Sequence, residues 1–228
     1  MEAEQPRRDM RDRIVDAATR LFADRGYEGV SLQSIADAVG IRKPSLLYHF
    51  PTKDALRTEV MERMLSHWKE ELPRILAAAQ TGKDRFRSGM GALVRFFTAD
   101  PNRARLVVRE MLDQPGRVRS LLFEHFRPWT SLLSDYIRMG QQSGSVRTDV
   151  DPESWVTQVV TMVIGTVACG DVTEGLVKRP DEDAPTDTES HALRLQIDEL
   201  VRVAGSSLFN TRPSADAVSA SNAKAAEG

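Results

Sequence analysis

Residues 42–53 carry Arg42, Lys43, Ser45, Tyr48, His49 and Lys53, and no acidic residue falls among them. Guanidinium and ammonium groups pair with phosphates, while hydroxyl, imidazole and phenol groups bond to base edges. The chemistry on offer is therefore recognition of duplex nucleic acid. It requires a short helix that fits a major groove. Leu46 and Phe50, at i and i+4, would dock such a helix and leave Lys43, Ser45, Leu47, Tyr48 and His49 facing outward.

The elements that must hold this helix are legible around it. Leu32, Ile35, Ala36 and Val39 fall at i, i+3, i+4 and i+7 of a preceding helix with Ser31 as its N-cap. Gly40 stands where a left-handed residue stops that helix, and Pro44 opens the next, which is the pattern of a helix-turn-helix. Upstream, Ile14, Ala17, Ala18, Leu21 and Phe22 make the stripe of a first helix ended by Gly26, and Tyr27 and Val30 seal a three-helix core. Residues 1–13 balance Arg7, Arg8, Arg11 and Arg13 against Glu2, Glu4, Asp9 and Asp12, and read as a flexible arm. That arm is either a solvated tail or the source of a further phosphate contact from Arg7 or Arg8.

The run IVDAATRLFADRGYEGVSLQSIADAVGIRKPSLLYHFPTKDAL resembles the DNA-binding domain of the TetR family of transcriptional repressors, with the order G-I-x-K-P-S-L-x-Y-H-F-x-x-K as its most restrictive part. The resemblance implies an all-α homodimer that binds a palindromic operator in double-stranded DNA, and whose C-terminal domain binds a small molecule and so releases the DNA. It also implies DNA contacts from Gln33, Lys43, Pro44, Ser45, Tyr48, His49 and Lys53; Arg42 joins them on charge alone. Two positions depart from the family pattern. Arg42 stands where the family often has a capping Ser, and puts a cation at the positive end of the helix dipole. Leu47 stands where a Tyr is common, which removes one expected backbone contact and substitutes an apolar group suited to a thymine methyl.

Composition narrows the class. The 228 residues suffice for one large or two small domains. A formal charge of -2 and a pI near 6.1 exclude a histone-like binder, so DNA binding must come from a placed patch. The single cysteine, Cys169, precludes an internal disulfide framework and reads as an inert packing residue. The N-terminus lacks the apolar region of a signal, so a cytoplasmic protein away from membranes is expected.

The expected organisation is an arm (1–13), a helix-turn-helix domain (14–56), a larger helical regulatory and dimerisation domain (57–209) containing an acidic loop (171–189), and a disordered tail (210–228). A fourth helix starts at Thr52, and Leu56, Val60, Met64, Trp68 and Leu72 keep helical spacing up to Pro73. Phe86, Met90, Leu93, Val94 and Phe97 form another stripe. A long helix from Val118 to Gln142, kinked at Pro128, is expected to follow. Aromatic residues crowd into these helices. Taken as a set they either fill a core or enclose an apolar cavity lined by Phe97, Met111, Phe126 and Trp129, with Arg109, Glu110, Gln114 or Tyr136 as polar contacts.

From Trp155 to Gly170 no residue is charged, so that helix should be buried on nearly all faces. Its expected partner is the last helix. Trp155, Val159, Val163 and Val167 with Leu193, Ile197, Leu200, Val201, Ala204 and Leu208 would build a four-helix interface between two copies, the alternative being a core within one subunit.

No phosphate loop, nucleophile elbow or C-x-x-C motif occurs. His49, His67, His125 and His191 are scattered without paired carboxylates, so neither an enzyme nor a metal or cofactor site is expected. The expected function is ligand-responsive repression by a DNA-bound homodimer whose effector is small and lipophilic. The alternative is a DNA-bound interaction or architectural regulator with no small-molecule ligand.

Overall fold

The computed structural model describes residues 4–78, 81–173, 176 and 188–210. Helices α1 (Glu4–Arg25), α2 (Leu32–Val39) and α3 (Lys43–His49) close on one apolar centre. In it Ile14, Val15, Ala18, Phe22, Val30, Ile35, Ala36, Leu46 and Phe50 are no more than 2% exposed. Helix α2 is fixed at both ends. The Ser34 amide donates to Ser31 Oγ at 3.0 Å, the Ser31 amide donates to Ser34 Oγ at 3.1 Å, and Gly40 ends the helix at φ 77°.

Helix α1 starts upstream of the boundary expected at residue 13. Segment 4–13, expected as an arm, is helical, because Met10 packs on the core and Arg11 bonds Glu59 at 2.5 Å. Residues 1–3 and the side chains of Arg7 and Arg8 lie outside the described residues.

Helix α4 (Lys53–Ala78) is capped by Thr52, whose hydroxyl accepts from the Ala55 amide at 3.0 Å. It runs without a break across the expected domain boundary at 56. It also continues through Pro73, where it was expected to stop; Pro73 is exposed, and water can replace the hydrogen bond that the ring removes. Next come α5 (Gly82–Thr98), α6 (Pro101–Asp113) and α7 (Pro115–Leu121). The single kinked helix expected from Val118 to Gln142 is instead interrupted. A π-helical turn, Leu122–Phe126, separates α7 from α8 (Arg127–Gln142), and Pro128 sits in the first turn of α8, where its missing N–H costs nothing.

Helix α9 (Pro152–Ala168) is the axis of the larger part and packs on α5, α6, α8 and α11 (Thr188–Leu208). The short α10 (Gly170–Thr173) follows α9. Among the described residues the only β pairing is an isolated bridge between Val146 and Phe209. The acidic loop expected over 171–189 is helical at 171–173 and from residue 188; residues 177–187 and 211–228 lie outside the described residues.

The expected interface residues need correction. Val159, Val163, Val167, Ile197, Leu200, Ala204 and Leu208 are 1–9% exposed within one chain, and Trp155, Leu193 and Val201 are half-buried against the same core. They serve the subunit's own core because α5, α6 and α8 cover the faces of α9 that a two-helix reading left bare. Nor is α9 buried all round: Thr157, Gln158, Thr161 and Met162 form an outward stripe, joined past its C-terminus by Cys169. Cys169 is exposed, not a packing residue, because it follows the last residue of α9. No helix among the described residues is long and apolar enough to cross a membrane.

Candidate nucleic-acid interface and cavity

Burial of Leu46 and Phe50 turns the other faces of α3 to solvent. Arg42, Lys43, Pro44 and Ser45 are exposed, Tyr48 is 68% exposed, and His49 is half-buried with its ring 5.6 Å from that of Tyr48. Gln33 is exposed on α2 and donates to Asp37 at 2.7 Å. Arg42 occupies the N-cap position with no side-chain capping bond; its carbonyl accepts from the Ser45 amide at 2.9 Å, and Pro44 has no N–H to cap. The helix is held from behind. Arg13 donates to the Val39 carbonyl at 3.0 Å, Arg11 donates to the His49 carbonyl at 3.5 Å, and the Arg11 guanidinium lies 4.5 Å over the Phe50 ring. Of the eight expected DNA-contacting residues, Gln33, Arg42, Lys43, Pro44, Ser45 and Tyr48 are thus exposed, and His49 is half-buried. The eighth, Lys53, is half-buried and stacks its ammonium 4.1 Å over the Tyr27 ring.

Tyr27 begins a polar joint behind these residues. Its hydroxyl donates to Asp54 at 2.8 Å, and burial first, then this bond, push its pKa up to about 12. The Arg57 guanidinium also lies 4.1 Å over the Tyr27 ring, and its Nε donates to Glu110 Oε1 at 2.8 Å. Arg109 Nε and Nη2 donate to the Ala23 and Asp24 carbonyls at 2.7 and 3.0 Å, closing the end of α1. Arg117 lies 3.6 Å from Asp54 and also bonds the Thr58 hydroxyl. Helices α6 and α7 are thereby fastened to α1 and α4.

A cavity of about 160 Å³ lies farther along, where α4, α5, α8, α9 and the end of α11 meet. Trp68 and Leu72 enter it from α4, Phe86 and Met90 from α5, and Trp155 and Val159 from α9. Three of the six expected ligand residues, Phe126, Trp129 and Tyr136, line it. The other three are corrected. Phe97 is 5% exposed in the main core, Arg109 is spent on α1, and Met111 borders a separate surface depression with Val118 and Phe123. Glu110, weighed as a pocket contact, is committed to Arg57. Arg85, which was not anticipated, lines the cavity instead, next to Phe86 of the apolar stripe of α5. Among the described residues no group of three or more His, Cys, Asp or Glu could hold a metal ion.

Two family models match the chain: bacterial regulatory proteins of the tetR family over residues 14–60, and the tetracyclin repressor-like C-terminal domain over residues 107–174. The HTH-type transcriptional repressor DhaR of Mycobacterium sp. (strain GP1) is 25% identical over 177 residues, spanning 69% of this chain and 84% of that protein. The HTH-type transcriptional activator FasR of Mycolicibacterium smegmatis is 30% identical over 102 residues, 45% of this chain and 47% of that protein. Among solved structures, the ketosteroid transcriptional regulator KstR2 of Mycobacterium tuberculosis superposes with a TM-score of 0.66 at 18% identity, covering 88% of this chain and 95% of that one. It shares the fold of a helix-turn-helix head on a helical body. The relatives are regulators of transcription, not enzymes.

Proposed function

Because the chain belongs to the TetR family of transcriptional regulators, we propose that it is a cytoplasmic repressor that binds a palindromic operator as a homodimer and is released by a small, lipophilic effector held in the cavity. The observation that carries the DNA reading is the accessible edge of α3, basic and hydrogen-bonding, on a chain whose net charge offers phosphate no general attraction. Gln33, Arg42, Lys43, Pro44, Ser45, Tyr48, His49 and Lys53 form the proposed contact set. Repression is preferred over activation because the relative aligned over the greater length, DhaR, is named a repressor.

The proposed dimer face is the outward stripe of α9, including Thr161 and Met162, together with Leu195 and Val203 of α11, all of them exposed. Two-fold pairing would set two copies of α3 into successive major grooves about 34–36 Å apart. Helix α4 touches both functional regions, since Lys53 and Arg57 lie at one end and Trp68 and Leu72 line the cavity. An effector that binds better to a conformer with the wrong spacing would tilt α4 and weaken DNA binding by its differential affinity, typically about 1–3 kcal/mol.

Light scattering of the purified chain and gel-shift titration with inverted repeats from its own promoter test the proposal. A dimer that binds one such repeat is expected. A monomer at micromolar concentration, or indifference to every repeat, would overturn it. The second reading, a protein-recruiting regulator without an effector, predicts that filling the cavity by Gly89→Leu leaves every promoter response unchanged. An added Cβ at Gly89 meets nothing within 4 Å, so the variant should fold.

A further inference from the structure

Arg85 is the sole charged side chain among the described residues that line the cavity. Two of the other polar groups there have partners of their own: Trp155 Nε1 donates to Ser207 at 3.0 Å, and Ser145 Oγ donates to the Gly140 carbonyl at 3.2 Å. The neighbouring acid, Asp84, faces Thr81 at 2.5 Å and Arg87 at 3.5 Å. Arg85 Nε is buried and has no hydrogen-bond partner, and no carboxylate among the described residues pairs with the guanidinium. Among the described residues the guanidinium stacks on the Tyr136 ring, 4.6 Å from the guanidinium carbon to the ring centroid.

A guanidinium N–H that is buried without an acceptor is costly, and the cost is relieved when an anion arrives to accept it. Stacking on Tyr136 uses the face of the fork and leaves its in-plane N–H donors for a ligand, the geometry that binds a carboxylate through two parallel bonds. The rest of the wall is aromatic and aliphatic: Trp68, Phe86, Leu93, Phe126, Trp129 and Val159. We propose that the effector is a small amphipathic carboxylate, its acid group bound by Arg85 and its hydrocarbon part packed among these side chains. This rests on the effector cavity argued above and adds the anionic group. An enclosed space of about 150 Å³ accommodates a benzene ring, so roughly six to eight carbons suit the present one.

Octanoate, 1-octanol and octylamine, matched in chain and differing in head group, make the test. Each is titrated calorimetrically into the full-length protein and into Arg85→Gln, Arg85→Lys and Gly89→Leu. Octanoate should bind at least tenfold more tightly than 1-octanol, and octylamine should not bind. Arg85→Gln should cut octanoate affinity tenfold or more and leave 1-octanol unchanged. Arg85→Lys, which keeps the charge without the fork, should fall between, and Gly89→Leu should weaken all binding. Melting curves of the unliganded variants establish that each is folded. Equal affinity for octanoate and 1-octanol, insensitive to Arg85→Gln and lost in Gly89→Leu, would overturn the carboxylate anchor while the lipophilic cavity stands. Failure of all three probes, or binding indifferent to Gly89→Leu, would overturn the cavity reading and the anchor together.

Discussion

Arg57 and Glu110, separated by 53 residues in the sequence, form an ion pair in which each side chain is 4% exposed and Arg57 Nη2 lies 2.7 Å from Glu110 Oε2. It joins the helix that leads from the DNA-binding head to the helix that lines the body's core. Breaking one half strands a buried charge, so Glu110→Gln or Arg57→Met should each lower unfolding free energy by about 3–5 kcal/mol. The double replacement Arg57→Met/Glu110→Leu should cost far less than the sum. Urea denaturation checks this, and additivity of the single effects would show that the two charges are not coupled.

On the accessible edge, charge and shape separate experimentally. Lys43→Ala should weaken operator binding and reduce the slope of log affinity against log salt by about 1 per protomer; Tyr48→Ala should weaken binding with little change in slope. Lys53→Ala should weaken binding and also lower the melting temperature, since its ammonium stacks on Tyr27. Fluorescence anisotropy across a salt series reads all three. Tyr48→Ala with unchanged affinity would remove that residue from the contact set.

The uncapped start of α3 predicts an exchange between stability and binding. Arg42→Ser adds a side-chain acceptor within reach of the Ser45 amide, whose present partner is the Arg42 carbonyl at 2.9 Å, and takes a cation from the positive end of the helix dipole, so it should add about 1 kcal/mol and raise the melting temperature by roughly 2–4 °C. It removes a cation from the DNA-facing edge, so operator affinity should fall. A melting temperature that does not rise would refute the missing-cap argument.

Tyr27 makes a prediction in alkali. Its pKa is raised to about 12 from the usual tyrosine value of 10.0. Because the folded state holds this proton more tightly, the associated stability is intact below pH 10 and is lost as pH rises from about 10 to about 12. Phenolate absorbance should show one tyrosine titrating near 12, and that step should vanish in Tyr27→Phe. An unshifted step assigned to Tyr27 would contradict the bond to Asp54.

The head was readable because its signals are local: Ser31 and Gly40 bracket an eight-residue helix, and Leu46 and Phe50 leave only one way for α3 to dock. The joint was not readable. Arg109 bonds to carbonyls 85 and 86 residues away, and nothing near it in the chain distinguishes that use from lining a pocket. The same limit explains the interface residues. The uncharged run of α9 announces burial without telling the inner faces from the outward stripe at Thr157, Gln158, Thr161 and Met162, and whether a neighbour in the same chain or a second copy covers it depends on how α5, α6 and α8 fold back. Phe126 and Trp129 were reached through aromatic crowding and Tyr136 as a polar contact in the same stretch, whereas Trp68 and Phe86 converge on the cavity from helices whose approach no spacing reveals.

Gly82, Gly89 and Gly140 border the cavity, and they differ in what a new side chain would meet. A Cβ at Gly140 would strike Val146 at 2.5 Å, while one at Gly82 or Gly89 meets nothing within 4 Å. Chamber capacity is therefore adjustable at two positions that the scaffold does not police. A lineage could narrow or widen its range of inducers through single changes there, keeping the operator and the framework intact, and a designer seeking a new biosensor would begin at the same two places.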